Sequence, residues 1–136
     1  MIKRKRQAVV YICSDEYAEP RKEKLAKLKK YAHEHNIHIS KQYIDRRRCC
    51  NPFERPQMKK LLKDGKAHKF DTVLMRESPD IARCDTQIVN YCLETAFANV
   101  NTIFLNEDSV IKKYMRLAKA LAKENLKTTF KTQQNK

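Results

Sequence analysis

Gln7-Ala8-Val9-Val10-Tyr11-Ile12-Cys13, followed by Ser14, is the stretch whose reading decides the fold. Its apolar run, Ala8 to Cys13, is too short for a core helix and reads as a buried strand over 7–13. Ser14 stands where that strand should surface, the usual place for working groups in α/β folds. Serine also ends strands and caps helices for purely structural reasons. The hydroxyl therefore takes its meaning from whatever the rest of the chain brings to it.

Outward from this strand, short apolar runs alternate with amphipathic segments. A helix is expected over 20–35 with Leu25, Leu28 and Ala32 on one face, then a strand over 37–44. A short helix over 55–63 is opened by Pro56 and closed near Gly65, the only glycine of the chain. Next come a buried strand over 71–75, a helix over 85–98 with Ile88, Val89, Cys92, Leu93 and Phe97 inward, and a strand over 102–105. A final helix over 109–125 carries Val110, Ile111, Tyr114, Leu117, Ala118, Leu121 and Ala122, and a polar, frayed stretch follows. The order β-α-β-α-β-α-β-α predicts an α/β domain with a mainly parallel sheet of about four strands flanked by helices.

At 136 residues, 41% of them apolar, the chain is expected to form one domain over 7–126. Basic tails at 1–6 and 127–136 flank it. No apolar stretch approaches the roughly 20 residues that span a membrane, and no signal-type block follows the basic start. Five cysteines without disulfide-scaffold spacing are expected to be reduced thiols in the cytoplasm. Thirty Lys and Arg against sixteen Asp and Glu give a net charge of +14, concentrated at the two ends. Such ends suit contact with a polyanion, most simply nucleic acid, or else a merely soluble surface.

A single glycine excludes glycine-rich phosphate loops. Cys49-Cys50 with His33, His35 and His38 match no metal-ligand spacing, so neither metal nor cofactor is expected. Cys84 is the thiol most open to reagents. What remains is a convergence beyond the carboxyl ends of the strands: Ser14 after the first, Asp45 ending the second, Arg76 to Arg83 after the third. One hydroxyl, one carboxylate and several cations suit phosphoryl transfer, in which an oxygen attacks phosphorus and arginines neutralise the remaining oxygens.

At these residues the chain resembles the catalytic domain of the serine recombinases, the resolvase/invertase family. The resemblance rests on Val10-Tyr11-Ile12-Cys13-Ser14, Tyr43-Ile44-Asp45, Glu54-Arg55-Pro56-Gln57-Met58 with Leu61-Leu62, Asp71-Thr72-Val73-Leu74-Met75, Ser78-Pro79-Asp80-Ile81-Ala82-Arg83 and Thr102-Ile103-Phe104-Leu105-Asn106-Glu107. It covers residues 7–122 in order and spacing. It implies a resolvase-like fold with an extended C-terminal helix, and DNA strand exchange through a phosphoserine link. Ser14 then takes the nucleophile's position, Arg55 and Arg83 those of phosphate-binding arginines, and Asp45 that of the aspartate ahead of a mobile loop.

Four places, six residues in all, depart from the family's pattern. Ile12 replaces the arginine two residues before the serine, Pro79-Asp80 replaces an Asp-Arg pair, Cys49-Cys50 stand where Ser-Gly is expected, and Glu23 replaces a glutamine. Losing one charge-stabilising donor costs on the order of 10²–10³ in rate. Weakened or lost catalysis is expected, unless Arg76 or Arg46-Arg47-Arg48 substitutes. Arg55 has a plainer reading as a helix start paired to Glu54, and Arg46, Arg47 and Arg48 as a solvated loop. The family appends a DNA-reading domain after its long helix. These 136 residues leave no room for one, so targeting is expected from elsewhere.

Lys112, Lys113, Arg116, Lys119 and Lys123 flank a narrow apolar seam on the last helix. That pattern suits homodimerisation, or association with another recombinase, with DNA on the outer face. The expected function is a DNA-associated, recombinase-like domain with a regulatory role. The alternatives are an active recombinase or nickase targeted in trans, and a protein-interaction module without a DNA role.

Overall fold

The computed structural model describes residues 7–14, 20–46 and 51–134, with side chains through Asn125 except that of Ser14. The elements are β1 (Gln7–Ser14), α1 (Arg21–Glu34), β2 (His38–Arg46), α2 (Pro56–Lys66), β3 (Thr72–Glu77), α3 (Asp85–Phe97), β4 (Asn101–Asn106) and α4 (Ser109–Gln134). Single 3-10 turns, Pro52–Glu54 and Ser78–Asp80, precede α2 and follow β3.

The four strands form one parallel sheet in the order β2-β1-β3-β4. β1 lies inside it, and Ala8 to Cys13 are at most 1% exposed, as a strand covered on both faces requires. Because side chains alternate, β1 feeds two cores. Val9, Tyr11 and Cys13 face a large cluster with Met58, Leu61, Tyr91 and Ile111, contributed by α2, α3 and α4, and Ile81, just after the Ser78–Asp80 turn. Ala8, Val10 and Ile12 face a smaller one with Leu28 and Ala32 of α1. Burying each Val, Leu, Ile or Met side chain among them stabilises the fold by about 1.5–3 kcal/mol.

Three helix ends turn through left-handed residues, Asn36, His68 and Asn99. α2 closes one residue after Gly65, near it as expected, but Gly65 has no positive φ and does not form the cap. A Cβ there would come 3.3 Å from Val100 Cγ2 and 3.4 Å from Phe70, so any side chain would have to push these neighbours back by a few tenths of an ångström. His68 takes the left-handed position instead. α4 also runs well past 125, to Gln134. Ile111, Ala118 and Ala122 face inward from it, while Val110, Leu117 and Leu121 are each at least half exposed.

Among the described residues, no helix is long and apolar enough to cross a membrane. The basic start at 1–6 and the Arg47, Arg48, Cys49 and Cys50 segment lie outside the described residues.

Candidate functional site

In the order β2-β1-β3-β4 the chain leaves β1 toward one side and returns on the other, so a crevice opens at the carboxyl ends of β1 and β3. Ser14 ends β1 there and pairs in register with Arg46, while Cys13 pairs with Asp45. Ser78–Asp80 close the same end from β3.

Asp45 is buried and caps α2 from across the sheet. Its Oδ1 accepts the Gln57 N–H at 3.0 Å and its Oδ2 the Met58 N–H at 2.9 Å. Arg55, at the N-cap, makes no side-chain capping bond, so a carboxylate brought from β2 supplies what the local sequence lacks. A negative charge is favourable at that end of the helix dipole. Tyr11 donates its hydroxyl to the same Oδ2 at 3.0 Å. Burial pushes the Tyr11 phenol far above its ordinary range, with Arg55 opposing, so it remains a donor.

Arg55 is only 2% exposed. Its Nη1 donates to the Asp80 carbonyl at 2.9 Å and to the Tyr11 hydroxyl at 3.3 Å. Asp80 is also buried, and its Oδ1 meets Lys24 Nζ at 2.6 Å, the two side chains being 2% and 5% exposed. Lys24 Nζ reaches the Cys13 carbonyl at 3.3 Å, one residue before Ser14. Among the described residues Asp80 Oδ2 accepts no hydrogen bond. Burial raises the Asp80 carboxyl above its ordinary value against the pull of Lys24.

The structure thus joins Tyr11, Asp45, Arg55, Asp80 and Lys24 into one buried polar network. Of the residues singled out from the sequence, Asp45 and Arg55 belong to it, and Ser14 adjoins it through the backbone of β1. An open cleft of about 440 Å³ lies beside it, lined by Asp45, Arg46, Glu54, Arg55 and Gln57. Arg46 is exposed at this cleft, Arg83 is exposed beyond β3, and Arg76 is half-buried on β3. Lys112, Lys113, Arg116, Lys119 and Lys123 are exposed along α4, where Lys119 donates to Asn101 at 2.9 Å. Of the histidines considered as ligands, His35 stacks on Tyr31 with ring centroids 3.9 Å apart. Cys84 is exposed at the start of α3, where the Gln87 and Thr86 N–H groups lower its thiol below the ordinary value.

Lys24 escaped sequence reasoning because lysine on a helix normally reads as surface. A signal was present: positions 24, 28 and 32 share one face, and all three are buried. At position 80 the sequence puts an anion where the family's pattern has a cation, and the structure spends that charge inside the fold on Lys24.

The sequence pattern of the family described as "Resolvase, N terminal domain" matches residues 10–131. Among solved structures, the chain is similar to the N-terminal catalytic domain of TP901-1 integrase, at 20% identity and TM-score 0.68, covering 90% of this chain and 98% of that one. It is similar to a resolvase family site-specific recombinase from Streptococcus pneumoniae, at 15% identity and TM-score 0.63, covering 96% and 95%. It is also similar to the C-terminal catalytic domain of ISC1926 TnpA, an IS607-like serine recombinase, at 17% identity and TM-score 0.63, covering 76% and 69%. At these identities the likeness is one of fold. Comparison with curated proteins found no match.

Proposed function

Because the chain belongs to the resolvase N-terminal domain family, we propose that it is a DNA-associated serine-recombinase domain with weakened or lost strand cleavage, acting in the cytoplasm as a regulatory component of DNA recombination. One observation carries this reading: the Arg55 guanidinium is bonded inward to the Asp80 carbonyl and Tyr11 hydroxyl, beside the Lys24–Asp80 ion pair. Phosphoryl transfer places cations against the phosphorus oxygens. Arg55 is only 2% exposed, and its Nη1 is committed to these two acceptors. Ile12 sits with Leu28 and Ala32 in the apolar cluster under α1 and offers no cation in its place.

DNA contact is assigned to Arg46 at the cleft, to Arg47 and Arg48 that follow it in sequence, to Arg76 on β3, and to Lys112, Lys113, Arg116, Lys119 and Lys123 on α4. The outward Val110, Leu117 and Leu121 support pairing of α4 with a second copy or with another recombinase. The domain assignment is residues 7–126, with basic segments on either side. One observation favours a second reading, an active recombinase or nickase targeted in trans: Arg46 is an exposed cation in register with Ser14.

Incubation with supercoiled DNA, followed by denaturation, separates the two. The proposal expects no covalent protein–DNA adduct, together with binding that weakens steeply with salt. An adduct formed by the wild type and lost in Ser14→Ala would establish cleavage and refute the proposal.

A further inference from the structure

β2 and α2 run antiparallel along the free edge of the sheet, and their contacts fix where the charges fall. Asp45 near the end of β2 meets the start of α2, while Tyr43 donates to Asp64 near the end of α2. Lys41 Nζ lies 3.7 Å from Asp64 Oδ2 and 4.9 Å from the centre of the Tyr43 ring. Lys69, just beyond α2, approaches the other oxygen of Asp64 at 3.3 Å. Lys60, one turn before Asp64, abuts Lys41.

Two ammonium groups therefore meet one carboxylate that Tyr43 already engages, and a third, Lys60, lies beside Lys41. Lys41 titrates below its ordinary value, through desolvation and then repulsion by Lys60, and the attraction of Asp64 does not restore it. The cluster carries more positive charge than its own anion neutralises. Along β2, five steps lead from Lys41 to the exposed Arg46 at the cleft, an odd offset that carries the track over the free edge of the strand from one face to the other. At ~3.3 Å per residue that span is about 17 Å, or about five nucleotides of one strand at ~3.4 Å each.

We propose that Lys69, Lys41 and Lys60, leading to Arg46, form a phosphate-backbone track that lays a nucleic acid along the β2–α2 edge and into the cleft beside Ser14. The track is separate from the basic face of α4, and it rests on the DNA-associated reading above. A phosphate backbone suits this surface better than an acidic protein does. Protein interfaces have an apolar core, and the large exposed apolar side chains among the described residues, Phe97, Val110, Leu117 and Leu121, all lie on α3 and α4.

The test is the salt dependence of binding to a short duplex, read by fluorescence anisotropy. It compares the wild type, a Lys41→Gln/Lys60→Gln/Lys69→Gln triple variant, the corresponding Lys→Arg triple, and a Lys112→Gln/Lys113→Gln variant of α4. Each phosphate contact contributes about 0.9 to the slope of log K against log salt. The glutamine triple is expected to lower that slope by about 2–3, equally for unrelated sequences, while the arginine triple keeps it. Thermal melts of the triples matching the wild type show that the fold is intact. If the wild type binds and the glutamine triple keeps the full slope, the track is overturned and the DNA-associated reading stands. If the wild type binds no duplex at low salt, both fall. If the glutamine triple instead loses affinity only for polyglutamate, the surface takes an acidic protein and the track is wrong.

Discussion

Replacing Lys24 by methionine removes one partner of a buried ion pair while nearly preserving side-chain volume. Asp80 then remains 1% exposed, its Oδ1 having lost a 2.6 Å contact and its Oδ2 already lacking a hydrogen bond among the described residues. Breaking a buried pair from one side typically costs about 3–5 kcal/mol. An exposed pair would cost about 0.2–1. For a chain of this length, at ~3–4 °C per kcal/mol, the expected fall in Tm is about 10–20 °C.

Two further measurements isolate the cause. A Lys24→Met/Asp80→Leu double variant removes both charges and should recover most of the loss, because apolar replacement of a whole buried pair is often neutral or better. The pH dependence has a definite sign. The Asp80 carboxyl already lies above its ordinary value, and losing Lys24 raises it further. Its raised pKa favours the protonated folded form, so that stability is present below the ordinary carboxylate range and lost as pH rises through the folded-state value. The deficit of Lys24→Met relative to wild type should therefore be small in acid and grow toward neutrality. Urea melts across pH, with constant m values, provide the measurement. Single variants that each cost under about 1 kcal/mol, or that add without coupling in the double, would refute the description of this pair as buried and interdependent.

Asp45→Ala leaves the Gln57 and Met58 N–H groups and the Tyr11 hydroxyl without their acceptor. A loss of about 1–3 kcal/mol is expected, with faster amide exchange confined to the first turn of α2. Adding both family arginines, Ile12→Arg with Asp80→Arg, should destabilise the fold and restore no cleavage. Position 12 lies among Leu28 and Ala32, and a new cation at 80 would oppose Lys24; adduct formation by this double variant would refute that account. In a Cys49→Ser/Cys50→Ser background, iodoacetamide should modify Cys84 well before Cys13 or Cys92. Cys84 is exposed with a lowered thiol pKa, whereas burial pushes Cys92 up to about 11. Equal labelling rates in folded protein, read by mass spectrometry, would contradict this.

The sheet was legible because β1, β3 and β4 hold short apolar runs and β2 alternates, and β1 is so thoroughly apolar that no helical period competes with it. Element ends were less legible. Gly65 looked like a helix cap, but its lack of a side chain serves Val100 and Phe70, contacts that local sequence does not encode. The continuation of α4 to Gln134 was hidden by a polar composition that reads equally as frayed chain. Within the site, Asp45 could be named from its place at a strand end and Arg55 from the family resemblance, while the bonds they make could not. Which way Arg55 turns depends on Tyr11 and on the backbone of Asp80, 44 and 25 residues away. Lys24 was invisible because its partner is 56 residues distant.

The strand order has a kinetic consequence. β1 is made first by the growing chain, yet its two neighbours are β2 and β3, so no hairpin can form and both pairings close long loops. Such nonlocal closure slows folding, and until β3 has been synthesised the most apolar strand of the protein has one open edge. The end of the sheet that carries Ser14 is therefore completed late, and a chain interrupted before Thr72 would expose a ready template for aggregation.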